Sequence, residues 1–477
     1  MKKGVCFFFC LSMVAVQFFS GCNKEVRDYD MNMVEHGRIN RFIVEGTHTY
    51  YLWESETDWK QVENNATYVA YTDHDQLFER LRYKDDVWSA LTNDIGGLER
   101  QVEGVSTTFG YTLSFQHNPY ASDNEVIAVV LYTAQDSPAA NAGIKRGDII
   151  IELNGAKITR DNYRGLYNLP SLHLRCGLQD KEAETFIPVP ETKTLVAVEM
   201  YENPINAFKI IEKEGKKIGY LCYTSYQQKS ESELLLLFAH FKAEGVQEVV
   251  LDLRYNTGGF ARTSLILSSI LAPASAVKNQ DIYLQHYYNK LLTSSLKDDE
   301  LSERFLNTLP VNMNLSRLYV LTSERTASAA EATMVGLEPY LTLIHIGETT
   351  SGKYCGGILL SPEDLYNKKY QDYYMSFSSW GMYIMIYRFA NIKGISSFTG
   401  GLVPGIRAAE VVSDLKPFGD EDDPLLGRAI AHIVGEEYVE KRTAKNCVPF
   451  IVLPDLNKPI EGLLIAEPPV LMPFIIP

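Results

Sequence analysis

The chain has little of what a metalloenzyme, a disulfide scaffold or a nucleic-acid binder requires. Its nine histidines form no HExxH pair and no other metal-ligand spacing, so neither a metal nor a cofactor is expected. Its seven cysteines include no CxxC pair, and no zinc site or disulfide framework follows from their spacing. No G-x-S-x-G elbow occurs. Positive charge is in deficit, 45 Lys and Arg against 60 Asp and Glu, a net charge of -15. That balance argues against a nucleic-acid partner and gives no pull toward anionic membranes. Past the first two dozen residues no apolar run is long enough to cross a bilayer. What remains is 477 residues with an ordinary 45% apolar content, enough for a large core and two to four domains.

The front end is set apart. Lys2 and Lys3 precede an apolar stretch, Val5 to Phe19, and then Phe19-Ser20-Gly21-Cys22. This resembles a bacterial lipobox at the end of a signal peptide, 1–22. The resemblance implies a chain lipidated at Cys22, exported to the cell envelope and tethered with its body in water. Cys6 and Cys10 would leave with the signal, and Cys176, Cys222, Cys355 and Cys447 remain, far apart. Residues 23–105 read as a polar tether to about 40 and then a small helical domain. There Leu77, Phe78, Leu81, Trp88 and Leu91 recur at three- and four-residue steps.

At 106–200 the period changes. Tyr111, Leu113 and Phe115 alternate, and Val126 to Leu131 is an apolar strand. Ser137-Pro138-Ala139 leads through Gly143 to Gly147-Asp148-Ile149, a short helix stopped by glycine that turns into a strand. The segment resembles a PDZ domain. PDZ domains add an extended peptide end as a strand, and the resemblance places that groove at Gly110, Tyr111, Thr112 and Leu113.

The stretch 201–440 alternates strands with helices and is expected to be α/β. Lys217 to Tyr223 reads as a strand, Glu231 to His240 as a helix and Val246 to Leu253 as a central strand. The last runs into Asp252-Leu253-Arg254-Tyr255-Asn256-Thr257-Gly258-Gly259. Further on, Leu318 to Leu321 reads as a buried strand feeding Thr322 to Ala332, with Ser328 at a small-residue corner before Ala-rich helical sequence. Leu341 to Ile346 reads as another strand, and it feeds Gly347 to Gly357, with Lys353 in a Gly-rich loop. A hydroxyl and an amine thus each sit just past a strand end, a usual place for function in α/β folds.

These segments resemble the S41 peptidases, the C-terminal processing or tail-specific proteases. In that family a Ser in an S-A-S-A-S-E-like segment is followed 25 residues later by a Lys in G-E-x-T-x-G-K. Thr326 to Glu331 and Gly347 to Lys353 match, with the same spacing, and Asp252 to Gly259 matches the family's D-L-R-x-N-x-G-G. The resemblance implies a multidomain α/β chain with a ClpP/crotonase-like catalytic domain, and a serine endopeptidase acting on protein or peptide substrates recognised by their C-termini. Ser328 would be the nucleophile and Lys353 the base, with Glu331 in support. The amides of Gly258 or Gly259, with Ala329, would form the oxyanion hole. The tail-specific branch often carries Gln four residues after the lysine, whereas this chain has Gly357. Gly405 replaces an Asp in a late G-x-x-P-D loop, and Asp422 to Leu425 opens a closing helix. Residues 260–315 contain a polar, Tyr-rich insertion expected at the cleft, and Tyr373 to Phe389 alternates like strands. The tail 441–477, rich in Pro and Leu, needs a surface to lie along.

A serine attacks an amide only if a base takes its proton, and lysine serves only when neutral. Burial must therefore lower its pKa from about 10.4. Two other readings compete. One is a lipoprotein scaffold that binds peptides without turnover. The other is an unrelated α/β hydrolase, which requires a histidine bonded to Ser328.

Overall fold

The computed structural model describes residues 31–59, 72–121, 124–396, 398–439 and 464–466. The expected signal, Cys22, Cys447 and most of the expected tail lie outside the described residues. Helix Met31–Tyr50 begins within the stretch read as a tether. Its polar residues are engaged with protein. His36 Nδ1 lies 2.9 Å from His74 Nε2, and His74 Nδ1 lies 2.7 Å from Asn40 Oδ1. Phe42 and Ile43 on the same helix are fully buried. Nor is the region helical throughout, because Ala90–Thr92 is a strand paired with Gly381–Ala390. Asn289 Nδ2 donates to the carbonyls of Thr49 and Tyr51 at 3.0 Å, tying the helix end to the C-terminal half.

Six antiparallel strands form the PDZ-like sheet, five in the order Tyr111–His117, Val126–Thr133, Ile149–Leu153, Ser171–Asp180, Thr185–Val196, with the short Ala156–Lys157 also paired to Ile149–Leu153. Its core takes Leu113, Phe115, Val130, Ile150 and Leu174, the inward set of alternating positions. Ser137 caps the helix Pro138–Asn141 by accepting from Ala140 N at 3.1 Å, and Gly143 follows it with φ 74°.

Val105–Thr108 and Val198–Tyr201 pair as a two-stranded sheet, and two larger sheets carry the rest. One runs Ile205–Lys213, Lys216–Tyr223, Glu248–Asp252, Arg317–Thr322, Thr342–Gly347, Ile406–Arg407. Only its first pair is antiparallel. A parallel sheet is covered on both faces, which accounts for the continuous apolar runs. Leu221, Leu251 and Val320 pack under helices Glu231–Ala243, Ala261–Leu271 and Ala329–Leu337. Tyr220, Val250 and Leu321 pack under Pro424–Val434. The second sheet runs Gly259–Phe260, Leu464–Ile465, Cys355–Leu360, Gly381–Ala390, Ile282–Tyr288, Ser302–Arg304. The segment expected to alternate from Tyr373 is strand only from Gly381. Tyr374 and Phe377 are buried three residues apart, the step of the helical turns found there.

A buried cation joins these parts. Arg254 pairs with Asp252, Glu410 and Asp423 at 2.8, 2.6 and 2.7 Å. Arg146, from the PDZ-like turn, pairs with the same Glu410 and donates to Tyr255 Oη at 2.8 Å and Lys416 O at 2.7 Å.

Candidate active site

Ser328 stands where the chain turns from strand Arg317–Thr322 into helix Ala329–Leu337. Its backbone lies at φ 62° and ψ -111°, a region sparsely used by residues with side chains. The residue is fully buried, and its Oγ has no hydrogen-bond partner among the described residues. No histidine bonds it. His345 lies 2.6 Å from Thr322 Oγ1, and burial lowers its pKa to about 4, so it stays neutral. The α/β-hydrolase alternative fails on this point.

Lys353 is 0% exposed. Burial lowers its pKa to about 8, against the opposing pull of Cys355, Asp86 and Glu331. Nζ donates to Tyr383 Oη at 2.9 Å and lies 4.8 Å from that ring's centre and 5.9 Å from that of Trp88. The thiol of Cys355 is buried and pushed well up by that burial, which makes it a poor nucleophile.

One carboxylate gathers the two loops. Glu331 Oε2 accepts from Ser328 N at 2.7 Å and from Lys353 N at 2.9 Å. Oε1 accepts from Thr350 Oγ1 at 2.5 Å and Gly352 N at 2.7 Å. Burial raises the Glu331 pKa while these four donors pull it down. The main chains bearing the serine and the lysine therefore meet on a single side chain.

Ala329 opens its helix, where an N–H has no carbonyl four residues back. Gly258 N donates to Asn256 Oδ1 at 2.9 Å, so of the two glycines its amide is already engaged. At Gly259, with φ 138°, an added Cβ would fall 2.2 Å from Tyr226 O, so only glycine fits. Asn256 is fully buried. It ties this loop to Tyr223 O through Nδ2 at 2.9 Å and to the serine loop through Ala327 N at 3.0 Å.

The expected peptide groove is elsewhere, along the edge strand Tyr111–His117, and the domain's own side chains fill it. Leu113 N donates to Tyr167 Oη at 2.9 Å, and Gly110 N donates to Thr108 Oγ1 at 2.9 Å. The Tyr167 ring lies between Tyr111 and Phe115, 5.9 Å from each. Thr112 lies on the same strand.

Sequence reasoning missed Tyr383, Trp88, Asp86 and Thr350. Thr350 lay inside the lysine segment, and its signal was simply its closeness to Lys353. Tyr383 lay in the aromatic segment, but nothing in its spacing marked it as the lysine's partner. Gly357 leaves room for it, since a Cβ there would fall 3.0 Å from the Tyr383 ring and 2.5 Å from Met385 Cε.

Comparison with known proteins finds likenesses to three domain families. Residues 217–400 match the model of peptidase family S41, 38–90 that of the peptidase S41 N-terminal domain, and 129–165 that of a PDZ domain. A carboxyl-terminal-processing protease of Picosynechococcus is 23% identical over 288 residues, 59% of this chain and 63% of that protein. The chloroplastic carboxyl-terminal-processing peptidase 2 of Arabidopsis thaliana is 28% identical over 273 residues, 54% of this chain and 46% of that protein. The chain thus spans less than two thirds of the length of these curated relatives. A crystal structure of an S41-type protease from Bacteroides fragilis superposes with a TM-score of 0.67 at 24% identity, covering 83% of this chain and 97% of that one. That likeness concerns the fold. The chain is a multidomain α/β chain with segments similar to the S41 peptidase domain, to the S41 N-terminal domain and to a PDZ domain.

Proposed function

We propose that this chain is a serine peptidase of the S41 kind that hydrolyses peptide bonds near the C-termini of its substrates through Ser328 and Lys353. One observation carries the reading. A completely buried amine, with its pKa lowered to about 8, stands one loop from a buried serine, and both backbones hang on Glu331. Near neutral pH a useful fraction of that amine is uncharged. Turned from Tyr383 toward Ser328, Nζ takes the Oγ proton as Oγ attacks the substrate carbonyl. The amides of Gly259 and Ala329 hold the oxyanion, each contributing about 3–4 kcal/mol in the transition state. Lys353 then gives the proton to the leaving amine, and water cleaves the acyl-enzyme.

Ser328→Ala and Lys353→Ala should each abolish cleavage of an unstructured protein while the circular dichroism stays native. Retained cleavage in either purified variant refutes the dyad. Because the lysine must lose its proton, kcat/KM should rise with pH to a plateau, with an apparent pKa of about 8.

The same reading includes a ClpP/crotonase-like fold for a catalytic domain spanning 201–440, supported by its parallel sheet with helices on both faces. It also includes lipid attachment at Cys22 in the cell envelope, supported by the Gly21-Cys22 motif. Expression of Cys22→Ala should release the protein from the membrane fraction, and a variant that stays there would count against the anchor.

A further inference from the structure

The strand pair nearest the chemistry is separated by a third strand from far along the chain. Leu464–Ile465 lies between Gly259–Phe260 and Cys355–Leu360, parallel to both. Leu464 faces Gly259, Ile465 faces Phe260 and Gly357, and Ala466 N donates to Gly357 O at 2.9 Å. We propose that this slot is a binding site for an extended peptide backbone, and that the chain's own Leu464-Ile465-Ala466 is its resident ligand. The inference rests on the peptidase reading only for taking the slot to be the substrate's.

Three features support it. The flanking strands carry the two halves of the chemistry, since Gly259 ends the Asn256 loop and Cys355 follows Lys353. The occupant touches that chemistry, because Leu464 N donates to Tyr383 Oη at 3.1 Å and Tyr383 Oη donates to Leu464 O at 3.3 Å. That hydroxyl is the one that receives Lys353 Nζ. The occupant is also seated by its side chains. Leu464 and Ile465 are 1% and 6% exposed, with Ile465 packed among Ile95, Leu98 and Met385. Beside Ile465 and Ala466 the slot opens into a cavity of about 530 Å³ lined by Phe260, Leu359, His286 and Tyr387, room for a longer peptide to continue. Main-chain pairing supplies affinity without sequence demands, and the two apolar seats select the side chains. The ligand class is therefore an extended segment with two adjacent bulky apolar residues followed by a small one.

The test uses the full chain with Ser328→Ala, which cannot turn over, with and without the pair Leu464→Asp and Ile465→Asp. The probe is a fluorescein-labelled synthetic peptide, Leu-Leu-Ile-Ala-Glu, copied from residues 463–467. Fluorescence anisotropy should show binding at least tenfold tighter to the double-Asp chain. Equal or absent binding to a chain that melts cooperatively overturns the proposal. If the double-Asp chain does not fold, hydrogen exchange on the Ser328→Ala chain decides. Saturating peptide should speed exchange at Leu464 to Ala466, and no change overturns the proposal. With Ser328 restored, peptide binding in a chain that leaves casein uncut sinks the peptidase reading and leaves the site standing. Casein cleavage without peptide binding does the reverse.

Discussion

Lys353 is enclosed by Trp88, Tyr383 and Cys355, and the burial that lowers its pKa also weakens the fold at neutral pH. The unfolded chain holds the lysine proton up to about pH 10.4, and the folded chain only to about 8. Between those values the unfolded state binds more protons, so stability rises with pH across that window and is flat below it. At pH 7 the burial costs about 3 kcal/mol. Lys353→Met should therefore abolish activity and raise stability in urea by about 1–3 kcal/mol at pH 7, with the gain shrinking above pH 8. A loss of stability at pH 7 would show the amine to be better solvated than its burial implies. Ser328 and Lys353 were legible in the sequence because each closes a segment that follows a strand, at a fixed spacing. Tyr383 was not, because its place beside Lys353 depends on the pairing of Leu359 with Tyr383, and register between distant strands leaves no mark in local spacing.

At the scale of elements, the PDZ-like segment was legible for a similar reason. Its turns are written in local residue types, Ser137-Pro138, Gly143 and Gly147-Asp148. Its groove was not, because what fills it comes from helix Gly165–Asn168, half a domain away in sequence. With Tyr167 bonded to Leu113 N, the edge strand is not free to take a ligand. Tyr167→Ala should uncover it, and calorimetry should then detect a peptide with a free terminal carboxylate where the parent chain binds at least tenfold more weakly. No gain in binding would mean that this edge has no peptide role. The helix Met31–Tyr50 misled for the opposite reason. Its polar face carries His36 and Asn40, which satisfy a protein partner, and a polar sequence does not distinguish a protein partner from water.

The whole molecule is held by a charge cluster no single segment contains. Burial works against ionising Glu410, but Arg254 and Arg146 overcome it and hold its pKa below the ordinary value. Arg254→Ala would strand Asp252 and Asp423 as buried carboxylates and should lower stability by about 3–5 kcal/mol in thermal or urea unfolding. Arg146→Ala removes only the PDZ-like side of the cluster. It should leave the melting of the catalytic part near the parent's while exposing the junction to limited proteolysis. A chain that melts unchanged after Arg254→Ala would show the cluster to be dispensable. Trp88 and Asp86 extend the same lesson, since the lysine's surroundings borrow from the N-terminal region.

Leu464–Ile465 belongs to the polypeptide whose sheet it completes, so its seat beside Tyr383 does not empty on dilution. Any free competitor meets a rival carried on the same polypeptide, whose effective concentration does not change with the amount of protein. A visiting molecule must then either be abundant or hold on at a second place as well.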